Sequence, residues 1–229
     1  MERLRVFLSG VLAGLCIALG GTAFLSLESK LAGALFFTVG LFVICLFKLH
    51  LFTGKVCYVF ENDGRYAADL ILIWLGNLAG TFLVAQALAL TRVGPALAAK
   101  ALGLCQTKLD DGPLSVFILA VFCNIMIYIA VEGFNRAPHD LGRYIALFLG
   151  VAVFILCGFE HCVANMYYIP AGLLAAGVPQ YAQLAMEAGA EVYLVTLGGL
   201  FANLIPVTIG NIIGGCGFGA LIWACHRSK

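Results

Sequence analysis

The segment 145–176 reads IALFLGVAVFILCGFEHCVANMYYIPAGLLAA, an apolar run interrupted near its middle by Gly158, Glu160 and His161. Charged and titratable side chains cost at least a few kcal/mol in hydrocarbon unless they are paired or hydrated. Irregular backbone at membrane depth is tolerated only where it is buried in protein or lines a cavity. The segment therefore predicts a transmembrane helix that is broken around a buried polar site.

Further apolar segments lie on either side of this one, and one of them is interrupted in the same way. Lys48, His50 and Lys55 break the second segment of the chain. The segments besides 145–176 are 6–27, 31–60, 70–90, 114–131 and 192–223. Each is long enough to supply a spanning helix of roughly 20 residues.

The position of the two interruptions predicts the topology. They fall in the second and fifth of six segments, so each is the second member of a group of three. Because each group has an odd number of spans, the two groups insert with opposite orientations, and paired broken helices indicate a transport site between them. We predict an all-α polytopic membrane protein with one transmembrane domain, residues 1–229. It has six transmembrane helices arranged as two inverted three-helix repeats, approximately 1–100 and 108–229.

The last segment, 192–223, is too long for one straight crossing of a bilayer core about 30 Å thick. Asn203 is a favourable helix cap, and Pro206 is tolerated in a first helical turn. We therefore predict a short helix before Asn203 and the sixth span after it.

Composition excludes several classes of protein. Hydrophobic residues make up 62% of the 229 residues, charged residues 11%, and the net charge is +1. A soluble domain is about a quarter charged, and a nucleic-acid binder would carry a basic surface. The chain has no GxSxG, HExxH or paired-aspartate motif, and its nine cysteines show no zinc-ligand spacing. We predict no catalytic activity, no cofactor, no metal and no nucleic-acid partner.

Lysine and arginine residues in the loops predict the orientation, because cytoplasmic loops carry an excess of them. The cations on the side of both termini are Arg3, Arg5, Arg65, Arg136, Arg143, Arg227 and Lys229. The cations on the opposite side are Lys30, Arg92, Lys100 and Lys108. The bias predicts a multi-pass protein of the cytoplasmic (inner) membrane with both termini in the cytoplasm.

Glycine pairs with GxxxG spacing recur, and such spacing lets helix backbones approach closely in lipid. The pairs are Gly10/Gly14, Gly76/Gly80, Gly210/Gly214 and Gly215/Gly219. They predict close packing either within a protomer or between protomers.

Three stretches resemble signatures of the formate/nitrite transporter family: LFTG at 51–54, GFEHCVANM at 158–166 and NLIPVTIGNIIGG at 203–215. The resemblance covers nearly the whole chain in order and spacing. It implies an aquaporin-like protomer, assembled as a homopentamer in the lipid bilayer with one substrate pore per protomer. No Asn-Pro-Ala motif of the aquaporins themselves is present.

The resemblance also assigns polar site residues. His161 is the expected central pore histidine, with Thr53 from the first broken loop facing it. Asn124 matches a pore asparagine, although alone it is as compatible with an interhelical hydrogen bond. Lys108 matches a lysine of the outer vestibule, and Glu160 matches a glutamate that holds the fifth-segment loop.

Apolar constrictions are implied on both sides of His161. Phe37 and Phe154 match the outer constriction, and Leu41, Leu51 and Phe52 match the inner one. Without the resemblance these five side chains would be assigned to an ordinary core.

This sequence departs from the family pattern in three places. Lys48 and His50 add basic groups to the first broken loop, where they are candidates for tuning anion attraction or gating. Cys162 stands where a small hydroxyl residue is common. The first span begins almost at Met1, so we expect a longer amino-terminal gating helix to be missing or very short.

The predicted function is a channel-like transporter that moves small monovalent acid anions, formate or nitrite, together with a proton. Lys108 would raise the local anion concentration, and the falling dielectric would favour protonation of the acid before it crosses the apolar constrictions. Hydrosulfide or lactate transport within the same family, and a channel for gases or neutral solutes, remain alternatives.

Overall fold

The computed structural model describes residues 2–187 and 195–227, which form helices joined by short connections without any strand. Met1, Lys229 and the first three positions of the segment 192–223 lie outside the described residues. The helices are α1 Glu2–Ser26, α2 Lys30–Phe47, α3 Phe52–Lys55, α4 Gly64–Ala89, α5 Val93–Asp110, α6 Pro113–Arg136, α7 Asp140–Leu156, α8 Cys162–Ala176, α9 Pro179–Glu187 and α10 Leu197–Arg227, with a 3-10 turn at Val56–Glu61 after α3.

The prediction of an all-α membrane protein is confirmed. Among the described residues, α1, α2, α4, α6 and α10 are long and apolar enough to cross a membrane, and α8 is a shorter apolar helix. Their starts follow local sequence signals. Ser29 caps α2 by accepting the Ala32 N–H, and Asp63 caps α4 by accepting the Tyr66 N–H.

The second and fifth apolar segments are broken, as predicted. The first break, residues 48–51, separates α2 from α3, and the second break, residues 157–161, separates α7 from α8. Helices in the two halves have matching neighbours, because α1 packs against α4 and α2 whereas α6 packs against α10 and α7. Helices α2 and α7 contact each other between the halves, which brings the two breaks together.

The glycine pairs pack helices within the protomer. A Cβ atom at Gly14 would lie 2.2 Å from the Asn77 carbonyl oxygen, and one at Gly80 would lie 2.0 Å from that of Val11. In the other half, a Cβ atom at Gly214 would lie 2.1 Å from the Val121 carbonyl oxygen. These distances are far below van der Waals contact, so only glycine permits the observed approach of α1 to α4 and of α6 to α10.

The predicted division of the last segment at Asn203 is wrong. Helix α10 runs without interruption from Leu197 to Arg227 and contains both Asn203 and Pro206. Asn203 does not cap a helix; its amide bonds Asn165 and the Lys108 carbonyl oxygen instead. Packing against neighbouring helices lets a membrane helix tolerate the backbone hydrogen bond that is lost because proline has no N–H. Tertiary contacts therefore override two local stop signals.

A further helix, α5, lies in the connection between the third and fourth apolar segments, where we predicted no helix. Its buried residues include Leu97, Leu102 and Cys105, and Lys108 lies in its last turn. Helix α5 packs against α8, so it places Lys108 next to the second break.

Candidate functional site

His161 lies at the second break, directly before α8, and is 1% exposed. Its backbone is extended, and its Nδ1 atom accepts the backbone N–H of Ala164 at 3.0 Å, so the ring caps α8. Its Nε2 atom lies 2.9 Å from the hydroxyl oxygen of Thr53 in α3. The two residues are 108 positions apart in the chain, and the structure brings them together.

The cap determines which ring nitrogen carries the proton. Because Nδ1 accepts a hydrogen bond from a backbone N–H, the neutral ring holds its hydrogen on Nε2. Nε2 then donates to the Thr53 oxygen, and the Thr53 hydroxyl keeps its own hydrogen for another acceptor. The junction between the two breaks therefore presents hydrogen-bond donors rather than a fixed positive charge.

Two aromatic rings cover one side of this junction. The rings of Phe37 in α2 and Phe154 in α7 meet edge to face with centroids 6.1 Å apart. The Phe154 ring also stacks on the His161 ring at 5.6 Å. These three side chains line a cavity of about 190 Å³, here called the outer cavity, which Lys30 and Lys108 also line.

A second cavity lies on the other side of the junction. This inner cavity, of about 500 Å³, is lined by Leu41 and Leu51, two of the three residues predicted for the inner constriction. Phe52 does not line it. Its side chain lines an apolar groove with Trp74 and Thr208. Of the three residues predicted for the inner constriction, Leu41 and Leu51 therefore lie at the inner cavity and Phe52 does not.

Lys108 and Glu160 form a buried ion pair beside the outer cavity. The Lys108 Nζ atom lies 2.8 Å from Glu160 Oε1, and the side chains are 9% and 7% exposed. Asn165 donates to the other carboxylate oxygen, and Asn203 donates to the Lys108 carbonyl oxygen at 2.9 Å. A buried charge needs such partners. Lys108 is therefore neutralised by Glu160 and is not a free cation of the outer cavity.

Asn124, in α6, contacts the same junction through the backbone of Thr53. Its amide donates to the Thr53 backbone carbonyl oxygen at 3.1 Å and lies 3.6 Å from the sulfur of Cys57. Its own carbonyl oxygen is buried without a hydrogen-bond partner among the described residues. The residue is thus an interhelical link to the site.

The sequence analysis missed two asparagines that hold the broken backbones. Asn77 in α4 accepts the Phe52 N–H and donates to the carbonyl oxygens of Gly10 and His50. Asn211 in α10 makes the same three bonds in the other half: it accepts the Cys162 N–H and donates to the carbonyl oxygens of Ala120 and Glu160.

A signal for this pair is present in the sequence. Residues 76–80 read GNLAG and residues 210–214 read GNIIG, the same Gly-Asn-x-x-Gly pattern in the third and sixth segments. The match between the halves aligns Asn77 with Asn211 and, through their hydrogen bonds, His50 with Glu160. It also aligns Leu51 with His161, which makes the site chemically asymmetric.

Two further predicted residues, Lys48 and His50, lie in the first break. Lys48 lines the inner cavity, whereas the His50 backbone N–H donates to the Ser9 hydroxyl and its ring does not line either cavity. Cys162 is fully buried at the start of α8.

Within residues 2–187 and 195–227, no three His, Cys, Asp or Glu side chains are grouped so that they could hold a metal ion.

Residues 1–225 match the sequence model of a family described as formate/nitrite transporter. The chain is 29% identical to the formate channel FocA of Haemophilus influenzae, over 91% of this chain and 82% of that protein. It is 27% identical to the formate channel FocB of Escherichia coli, over 99% and 87%. A solved pentameric formate channel with formate bound has 25% identity and a TM-score of 0.84, covering 100% of this chain and 98% of that one.

Proposed function

This chain belongs to the formate/nitrite transporter family, and we propose from that premise that it moves small monovalent acid anions, formate and nitrite first, each with a proton. The family comprises channels and transporters rather than enzymes. We further propose that the protein forms a homopentamer, as the similar formate channel does, and lies in the cytoplasmic membrane with both termini in the cytoplasm.

The observation that carries this proposal is the contact between His161 and Thr53. It joins the two breaks at a point that lies between the outer and inner cavities. Because Nε2 of His161 donates to the Thr53 oxygen, the Thr53 hydroxyl hydrogen is free for a guest molecule. The apolar side chains of Phe37 and Phe154 line the outer cavity, and those of Leu41 and Leu51 line the inner cavity. A small carboxylic acid or oxyacid offers the matching acceptors. Because the rings of Phe37 and Phe154 meet edge to face, they must move apart for any solute to pass, and a small solute requires the smallest displacement.

Desolvation explains why a proton accompanies the anion. A bare anion between the rings of Phe37 and Phe154 loses its hydration without gaining a countercharge. The neutral acid avoids this cost, and burial favours the neutral form of any acid. We propose that the acid forms in a cavity and crosses the rings uncharged.

His161 is proposed to act as a hydrogen-bond donor to the crossing molecule. An imidazolium would need a hydrogen on Nδ1, which already accepts the Ala164 N–H. Full protonation of the ring would therefore cost the cap of α8. A neutral ring keeps the cap, and its Nε2–H can orient the acid by exchanging the Thr53 oxygen for an oxygen of the acid.

We also propose that residues 1–100 and 108–229 are inverted repeats that together cross the membrane six times. The matched bonds of Asn77 and Asn211 support this division. The ion pair of Lys108 and Glu160 belongs to the second repeat and is proposed to hold the second break in shape. Lys108 would then act on the anion through this geometry, since the pair carries no net charge.

The test is uptake into proteoliposomes that contain the purified pentamer and a trapped pH indicator. The panel contains formate, nitrite, hydrosulfide, lactate and ammonia at equal gradients. The proposal expects rapid formate or nitrite entry with internal acidification. Preferred entry of hydrosulfide or lactate would assign another substrate of the family, and entry of ammonia alone, with internal alkalinisation, would instead indicate a neutral-solute channel.

A further inference from the structure

Lys48 has a backbone conformation that lysine rarely adopts. Its φ is 53° and its ψ is 38°, in the left-handed region, and within residues 2–187 and 195–227 it is the one non-glycine residue with positive φ. Side chains with a Cβ atom are disfavoured there. A residue other than glycine at such a strained position indicates that its side chain has a function.

The second half of the molecule shows which residue the position favours. At the first break, the Lys48 N–H bonds the Cys45 carbonyl oxygen at 3.3 Å and the Leu49 N–H bonds that of Ile44 at 2.9 Å. At the second break, Gly158, with φ 72°, takes the place of Lys48 in the same pair of bonds. Glycine is the usual residue for this way of ending a helix.

The side chain that replaces glycine lies at the inner cavity. Lys48, Lys55 and Arg143 all line this cavity, and no carboxylate is among its described lining residues. Asp140 lies outside the lining, with its carboxylate 3.7 Å from Arg143, and is largely exposed. Glu132 accepts a hydrogen bond from the lining residue Tyr58 but is itself paired with Arg136. The excess positive charge of the inner cavity therefore comes from Lys48 and Lys55.

The outer cavity differs in charge. Of its two lining lysines, Lys108 is neutralised by Glu160, and Lys30 donates to the Leu156 carbonyl oxygen at the end of α7. A cation at a helix carboxyl terminus is partly compensated by the helix dipole. The charge available to an anion is thus concentrated in the inner cavity.

We propose that the inner cavity contains a binding subsite for a small monovalent carboxylate or oxyanion, and that Lys48 is the residue that sets the affinity of this subsite. This inference rests on the anion transport proposed for the chain. Lys48 recruits the anion beside the Leu41–Leu51 constriction, and Lys55 and Arg143 complete the subsite. The transporter is consequently asymmetric, with tighter half-saturation from the Lys48 side.

The test compares Lys48→Gly with the wild type in membrane vesicles of a host without its own formate transporter. Everted and right-side-out vesicles, identified with a protease-accessible tag on the amino terminus, expose one face each. The KM for radiolabelled formate entering from the Lys48 face should rise about threefold to tenfold in Lys48→Gly. That range is the Boltzmann factor for losing the attraction between the formate anion and one positive charge roughly 6 Å away, at an effective dielectric constant of about 40 to 80. The KM from the other face should stay unchanged.

Two matched variants sharpen the comparison. Gly158→Lys places a lysine at the equivalent outer position, where a Cβ atom would meet no atom within 4 Å. It should lower the KM from the outer face. Lys100→Gln removes a lysine that pairs with Glu28 away from both cavities and should change neither KM. An unchanged KM from the Lys48 face in Lys48→Gly, or an equal rise from both faces, would overturn the subsite.

A binding measurement separates the subsite from the transport proposal. Solid-state NMR on pentamers with ¹⁵N-labelled lysine side chains would detect ¹³C-formate near a lysine nitrogen without requiring flux. With formate held below its half-saturating concentration for the wild type, dephasing that falls severalfold in Lys48→Gly supports the subsite even where no transport of formate is measured. Absence of dephasing in the wild type, or equal dephasing in Lys48→Gly at that concentration, contradicts the subsite even where transport is normal.

Discussion

Replacing Asn211 by leucine should loosen the second break and reduce transport. Asn211 satisfies two backbone groups that have no helical partner, the Glu160 carbonyl oxygen at 2.9 Å and the Cys162 N–H at 2.9 Å. Its third partner, the Ala120 carbonyl oxygen, lies inside α6 and keeps its helical bond. Leucine shares the γ-branched shape of asparagine but is larger, so the change removes the hydrogen bonds and adds some overpacking rather than leaving a cavity.

The expected cost follows from the two groups left unpaired. A buried backbone donor or acceptor without a partner costs about 1–3 kcal/mol, which gives about 2–6 kcal/mol for the pair. Side-chain hydrogen bonds in membrane proteins average about 0.6 kcal/mol, so a value near the lower end of that range is expected. Because Glu160 and Cys162 flank His161, the same change should shift the ring and lower formate uptake.

The assay is thermal unfolding of the detergent-solubilised pentamer, with formate uptake measured on the same preparation. Ile212→Leu, the adjacent volume-conserving change, should behave like the wild type. Asn77→Leu should lower stability to a similar extent, because Asn77 makes the equivalent bonds at the first break. Wild-type melting and uptake in Asn211→Leu would refute the view that this side chain holds the second break.

Two further changes test the packing and the buried charge. Gly80→Ala and Gly214→Ala place a Cβ atom 2.0 Å and 2.1 Å from a backbone oxygen, so each should destabilise the pentamer by about 1–3 kcal/mol or more. The control Gly217→Ala, where a Cβ atom would meet no atom within 4 Å, should not destabilise it. Equal melting temperatures for all three variants would contradict the packing. Lys108→Met leaves Glu160 buried without its partner and should lower the stability of the pentamer by about 3–5 kcal/mol. Combining Lys108→Met with Glu160→Gln should restore most of that stability. A double variant less stable than Lys108→Met would show that the unpaired charge is not the cause.

The sequence predicted the features that depend on hydrophobicity and its interruption. Apolar length identified the membrane helices, and the charged residues around 48–55 and 158–161 located both breaks. The contact between His161 and Thr53 came from the resemblance to a family, because no local pattern connects residues 108 positions apart.

The features that were missed depend on tertiary contacts. Asn203 and Pro206 are strong local signals for a helix boundary, but α10 continues through them because α5 and α8 supply partners for Asn203. The neutralisation of Lys108 depends on Glu160, 52 positions away. Neither Asn77 nor Asn211 was assigned a role from the sequence, although the repeated Gly-Asn-x-x-Gly pattern would have identified them as a pair.

The most direct test of proton-coupled anion transport is formate uptake with simultaneous internal pH recording in His161→Asn. Asparagine is a good helix cap and can still accept the Ala164 N–H, so the fold should persist. It is smaller than the ring that stacks on Phe154, so water should enter the junction and hydrate the passing ion. With His139→Asn, an exposed histidine, as the control, wild-type and control vesicles should acidify in proportion to the formate that enters. Folded His161→Asn pentamers should lose this proportionality and pass formate as an electrical current. Wild-type rates with one proton per formate in folded His161→Asn pentamers would contradict the role assigned to His161.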